Sequence, residues 1–396
     1  MALNATRRRF LLGLSASVGV GSMGSLSWAA AAGDRRFVLV LLRGGLDGLA
    51  AVPPVGDPDY AAVRGKLALS ADDVLPLDGM FGLHPALAPL ADWYAEGALL
   101  PVHAVGLTYR GRSHFDAQDA LENGTESPSG ADSGWLNRAL ATLPRTEPAT
   151  AIGTALPLVL RGDAPAASVD PTRTTRAPDD FLGTVMDLYE RDPVLSAALA
   201  SALDAQDQVM ASGSSSDRRR RRDRGSRFQA GMKAAGTLMG AADGPRVLVV
   251  DSTGWDTHAR QGTVEGTLAR QLKGLADGLV ALRTGLGSTW NDTTVLCISE
   301  FGRTVKPNGT GGTDHGTGGL ALLAGGRVRG GRVVADWPGL KEADRYDGRD
   351  LMPTVASRAV FKAALHGGLG VSDDALDRLV FPGTRSMKRP AGWFHG

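Results

Sequence analysis

Residues Phe37–Leu42 read FVLVLL, followed by Arg43-Gly44-Gly45-Leu46-Asp47-Gly48. A short, unbroken apolar run rich in Val and Leu predicts a strand buried on both faces, the pattern of a parallel sheet. The glycines behind it predict a tight turn that carries Asp47. Two further runs repeat the arrangement, Arg246–Val250 (RVLVV) and Thr294–Ile298 (TVLCI). Helical patterns lie between and around them: Pro85–Tyr94, His114–Glu122, Leu136–Leu143, Phe181–Gln208, Phe228–Met239, Leu268–Gly285 and Thr354–His366. Strands alternating with helices predict an α/β fold, a doubly wound, mostly parallel sheet with helices on both faces. Leu320–Ala324 and Gly331–Val334, separated by a Gly/Arg-rich turn, are expected to add two strands.

Composition bounds the rest. The chain has 396 residues, 43 basic and 42 acidic, with a formal net charge of +1. That balance argues against a general nucleic-acid binder, which needs an excess of Lys and Arg to neutralise phosphates. A hydrophobic share of 43% supports a large core and excludes wholesale disorder. Glycine accounts for 53 residues, close to twice the roughly 7% of average usage, so tight loops are abundant. The lone cysteine, Cys297, excludes an intrachain disulfide and a thiolate zinc cluster.

The first 32 residues read as an address. Thr6-Arg7-Arg8-Arg9-Phe10-Leu11-Leu12 matches a twin-arginine export signal, a soft Gly/Ser-rich apolar stretch follows, and Ala29–Ala32 offers a signal-peptidase site. The expected location is therefore periplasmic or secreted, with the twin-arginine machinery as a partner. No later run is long enough for a permanent membrane span. Residues 33–396 are expected to form one domain. Ser212–Arg227, four serines before an arginine run, reads as a flexible Ser/Arg-rich insertion.

In open parallel sheets, ligands bind outside the carboxyl ends of the strands. Just past the apolar runs stand Asp47, then Asp256 and His258, then Glu300, and a Gly-rich loop brings Asp314 and His315. Packing like charges together is costly unless a cation or protons compensate. Aspartate, glutamate and histidine without cysteine form a ligand set for Zn²⁺, Mn²⁺ or Mg²⁺, the histidines favouring transition metals. Ser113 opens a predicted helix and, with Asp116, fits a capping-box-like start. A serine at that position can also face an anionic substrate and act as a nucleophile. His114 beside it is the second catalytic candidate, and Arg43, Arg112 and Arg303 are candidate anion binders.

The segments LLRGGLDGL, FGLHPALAPL, RSHFDAQD, GWDTHA, SEFGRT and GGTDHGTGG, behind a twin-arginine leader, occur in an order that resembles one family. It is the exported bacterial family catalogued as domain of unknown function 1501, and the resemblance runs from about Phe37 to Phe381-Pro382-Gly383. That family looks like a branch of the alkaline phosphatase and sulfatase superfamily. The resemblance implies an alkaline phosphatase-like fold and metal-dependent hydrolysis of a small-molecule or polymer phosphate or sulfate ester. It implies metal ligands at Asp47, Asp256, His258, Glu300 and His315 with Asp314, and a nucleophile at Ser113. Phe301 stands where the superfamily often has a histidine, which points to a single ion or an oxygen-rich site taking Mg²⁺, Mn²⁺ or Ca²⁺. A second reading keeps the fold without turnover, as an exported binding or assembly protein.

Overall fold

Phe37–Leu42 forms the middle of β1 (Arg36–Arg43), at the centre of the sheet. The computed structural model describes residues 34–144, 148–170 and 224–396, together with Met186 and Tyr189. The leader 1–32, the rest of the helical stretch 181–208 and positions 212–223 lie outside the described residues.

Alternate residues of β1 face opposite cores, as strand geometry requires. Phe37, Leu39 and Leu41 pack on one side with Ala117, Ala120 and Leu121 of α2 (His114–Asn123), with α3 (Trp135–Leu140), and with α6 (Ser357–Leu369). Val38, Val40 and Leu42 pack on the other with α4 (Arg224–Gly240) and α5 (Thr267–Leu286). A short α1 (Gly48–Ala51) follows the Gly44-Gly45 turn. The run FVLVLL is continuous because neither face meets water. Residues 224–227, expected in the insertion, form the first turn of α4.

The remaining strands are β4 (Leu99–Gly106), β5 (Ala149–Ile152), β6 (Ala166–Val169), β7 (Val247–Thr253), β8 (Thr293–Ile298), β9 (Gly319–Ala324) and β10 (Val355–Ala356), after a small hairpin of β2 (Leu75–Pro76) and β3 (Gly82–Leu83). The eight-stranded sheet has the order β10-β4-β9-β8-β1-β7-β5-β6. Its pairs are parallel except those of β9, which is antiparallel to both β4 and β8. Leu41 lies opposite both Asp251 and Ile298, so β1, β7 and β8 end within two residues of one another. That register brings their trailing loops to one edge.

One expected strand does not form. Gly331–Val334 contributes a single bridge, Val334 to Val102, although Gly331 N donates to Leu99 O (3.0 Å) and Val334 N to Pro101 O (2.9 Å). The segment lies along the edge of β4, and Pro101 has no N–H to continue the ladder there. β4 itself carries no clean strand signal, since Pro101 and His103 interrupt it and a bulge at Ala104, with φ of 54°, shifts its register. Among the described residues no helix is long and apolar enough to cross a membrane.

Candidate metal centre

The loop after β7 turns at Gly254 and buries Trp255 completely, with its indole N–H on Ser252 Oγ (3.1 Å). This anchor turns the flanking Asp256 toward the open edge. Opposite it, Ser299 Oγ accepts from the backbone N–H groups of Gly45 and Leu46 (3.1 Å each) and ties the β1 turn to the β8 loop. Gly44 closes the gap. Its φ is +123°, and a Cβ there would stand 2.6 Å from Asp256 N, so only glycine lets these two loops touch.

Four side chains converge in this space. His258 Nε2 and His315 Nε2 face each other at 2.8 Å. Asp256 Oδ1 lies 2.9 Å from the first and 3.3 Å from the second, and Asp256 Oδ2 lies 3.4 Å from His114 Nε2. One donor atom from each of His114, Asp256 and His315 falls within 4.8 Å of the others.

The far side of each imidazole decides what these atoms can do. Nδ1 of His114 is 2.8 Å from Glu300 Oε1, that of His258 is 3.0 Å from Asp314 Oδ1, and that of His315 is 2.8 Å from the carbonyl of Arg112. A carbonyl and an ionised carboxylate have no hydrogen to give, so each Nδ1 is the donor. In the neutral ring Nε2 then carries the lone pair. The lone pairs of His258 and His315 therefore oppose each other at contact distance, which is repulsive unless a proton or a cation lies between. His114 Nε2 is buried with no hydrogen-bond partner. Imidazoles fixed through Nδ1 with Nε2 turned inward are the usual dressing of a metal-binding histidine, and these residues fit a divalent ion.

Electrostatics agree. Burial pushes Asp256 up, but the bond and charge of Arg303 outweigh it and hold the carboxyl below its ordinary value. Burial likewise opposes ionisation of Glu300, and bonds from His114, Gln118 (3.0 Å) and Gly44 N (2.8 Å) overcome it. The amide of Asn308 lowers Asp314. All three are ionised at neutral pH. The hydrogen bond to Glu300 raises His114, whereas burial lowers His315 and keeps it neutral. Phe301 packs its ring against both, with centroids at 4.9 Å from His114 and 5.0 Å from His315.

The sequence-predicted residues divide between this cluster and its surroundings. Asp256, His258 and His315 supply inward donors, and so does His114, expected to be catalytic. Glu300 and Asp314, expected as ligands, hold imidazoles from behind. Asp47 stands apart. It is fully buried, with Oδ2 accepting from Arg64 (2.5 Å) and Gln261 (2.6 Å). Ser113 caps α2, its Oγ accepting from Asp116 N at 3.5 Å, between Arg112 and His114 in the chain. Asp116 does not complete a reciprocal box, because it accepts from the Tyr109 hydroxyl (2.9 Å).

The three arginines already have partners. Arg43 meets Glu122 at 2.7 Å and Asp251 at 3.0 Å; Arg112 meets Asp350 at 2.9 Å; Arg303, buried, meets Asp256 at 2.6 Å. Sequence reasoning missed Arg64, Gln118 and Gln261. They are single polar residues inside helical or loop patterns, and nothing in their spacing marks them.

A mostly parallel sheet with histidine and carboxylate donors converging beyond its strand ends defines an α/β protein with a metal-capable centre. The chain belongs to the family described as Protein of unknown function (DUF1501), whose model matches residues 103–362. Among solved structures, it is similar to Ps i-CgsB in complex with k-i-k-neocarrahexaose, with a TM-score of 0.42 at 9% identity over 88% of this chain and 75% of that one. A mutant of the alkaline phosphatase PafA gives 0.32 at 11% identity over 68% and 64%. The C-terminal periplasmic domain of EcEptC from Escherichia coli, in complex with Zn, gives 0.33 at 9% identity over 74% of each. No curated protein matches the chain in sequence.

Proposed function

We propose that the chain is an exported, metal-dependent hydrolase of phosphate or sulfate esters. The observation that carries the metal is the inward convergence of His114, His258 and His315 Nε2 on Asp256. Imidazole nitrogens in that number favour Zn²⁺ or Mn²⁺ over Mg²⁺ or Ca²⁺. A bound ion of this kind would supply Lewis acidity to the ester oxygens. The chain's own residues do the rest. Ser113 supplies a hydroxyl at the start of α2, where unpaired N–H groups and the helix dipole favour an anion. His114 and His315 face the centre from fixed rings, and Glu300 keeps His114 in one tautomer. Arg112, about one-third exposed, is the predicted anion binder most open to solvent. Export to the periplasm or beyond rests on the twin-arginine leader, Thr6–Leu12.

A binding or assembly role on the same fold is the second reading. It is favoured by the carboxylate partners of all three arginines and by the cap that engages Ser113. Metal analysis of the purified native protein, with aryl phosphate and aryl sulfate hydrolysis, separates the two. A hydrolase holds a divalent ion and loses most activity in Ser113→Ala. Metal without turnover supports the binding role, and absence of both sinks the hydrolase.

Metal uptake should strengthen as pH rises. Glu300 raises His114 above its ordinary 6.5, so at low pH His114 carries a second proton on Nε2 and an entering ion must displace it. Above the raised value that nitrogen is free. Chelator competition at pH values well below and well above 6.5 should show affinity rising across the range; a flat profile would contradict the role of His114.

A further inference from the structure

Gln261 lies outside the donor cluster, yet it bonds to the β1 turn and to both loops that carry Asp256, His258 and His315. Its side chain is completely buried. Oε1 accepts from the hydroxyls of Thr257 and Thr313, at 2.8 Å each, and Nε2 donates to Asp47 Oδ2 at 2.6 Å. Thr257 stands between Asp256 and His258. Thr313 precedes Asp314 and His315, and its hydroxyl and carbonyl also accept from Arg303, which grips Asp256. Asp47 in turn binds Arg64, whose guanidinium donates to the carbonyls of Thr304 and Val305. A single amide thus joins the β1 turn, the β7 loop and the Gly-rich loop.

The backbone runs the same way. Gln261 N donates to Gly311 O (2.9 Å), Arg260 N to Thr310 O (3.1 Å) and Thr313 N to Thr257 O (3.1 Å), so the two loops run antiparallel in a short, irregular ladder. The register sets Thr257 against Thr313 and Gly312 against His258, so a residue without a side chain leaves room for the His258 and His315 rings to meet. Those imidazoles are pushed apart by opposing lone pairs whenever neither a proton nor a cation stands between them. Something must resist the spreading. An amide suits the place because it offers an acceptor to the two hydroxyls and a donor to an ionised carboxylate. Glutamate would set a second negative charge against Asp47, and an apolar side chain would leave buried hydroxyls unpaired.

We propose that Gln261 is a positioning residue that presets the spacing of His258 and His315 for a single divalent ion. The inference rests on the reading of the cluster as a metal centre. The test is cobalt(II) titration of the chelator-stripped full chain, followed by visible absorption and by competition with a chelator. Gln261→Met keeps the volume and removes every side-chain bond; affinity should fall about 10–100-fold, the range typical of outer-shell partners. The paired Thr257→Val, Thr313→Val variant is close to isosteric and should lose affinity in the same direction, so it decides the question if Gln261→Met does not fold. The serine pair, Thr257→Ser with Thr313→Ser, should bind like the wild type.

Asn137→Ala separates positioning from stability. That residue braces Leu160 O and Ala164 O far along the chain from the donor loops, and its loss should lower the melting temperature without moving cobalt affinity. Wild-type affinity in both Gln261→Met and the valine pair would overturn the proposal, as would an equal loss in Asn137→Ala. A wild-type chain that takes up no cobalt would overturn the metal reading itself.

Discussion

Asp47→Ala is expected to destabilise the protein by about 3–5 kcal/mol, the cost of breaking a buried ion pair by removing one partner. Asp47 and Arg64 are 1% and 0% exposed, so neither charge reaches water. Without the carboxylate, Arg64 keeps the carbonyls of Thr304 and Val305 but no counter-charge. Gln261 loses its acceptor in the same step. The loss belongs to the protein scaffold and should therefore appear in metal-free protein. Urea unfolding of metal-free Asp47→Ala should show a lower midpoint with an unchanged slope. Equal midpoints for variant and wild type would instead favour Asp47 as an ion ligand, which the family resemblance implies.

His315→Ala has the opposite profile. Loss of an inward donor should cost more metal affinity than the ~10–100-fold of an outer-shell change. Metal-free stability should hold or rise, because one of two facing lone pairs is gone. Zinc should raise the wild-type melting temperature, since an ion that binds only the folded state stabilises it by about 2.7 kcal/mol at a hundred times its Kd. The same addition should leave His315→Ala almost unmoved. Equal zinc-induced shifts in the two proteins would remove His315 from the centre.

These two residues also mark what a sequence can disclose. β1, β7 and β8 were legible because strands buried on both faces must be apolar throughout, and their carboxyl ends then locate the edge to search. β4 was not, because Pro101 and His103 break its pattern and are accommodated by tertiary neighbours, the edge segment beside Pro101 and the carbonyl of Val52 at the His103 ring. At the centre, residue types were legible but not their ranks. Asp256, His258 and His315 stand where donors were expected, whereas Glu300 and Asp314 act on Nδ1 atoms. Asp47 follows its strand just as Asp256 follows β7, and what separates them is Arg64. That side chain comes from a short helix, Tyr60–Arg64, and folds back beneath the turn. Pairings of this kind depend on three-dimensional approach and leave no periodic trace.

The antiparallel β9 has a consequence for how such a centre can change over evolutionary time. Because β9 returns beside β8, residues 299–318 leave and re-enter the sheet at the same edge without a crossover. Glu300, Arg303, Asp314 and His315 all ride on that one excursion. Lengthening a loop costs little, about 0.6 kcal/mol for each doubling, and the strands beneath need not move. One of the four inward donors, His315, and the groups behind two imidazoles, Glu300 and Asp314, can therefore be redrawn by insertion or deletion in a single segment. Descendants of this chain would diversify there first, keeping His114, Asp256 and His258 as the fixed part against which new partners are tried.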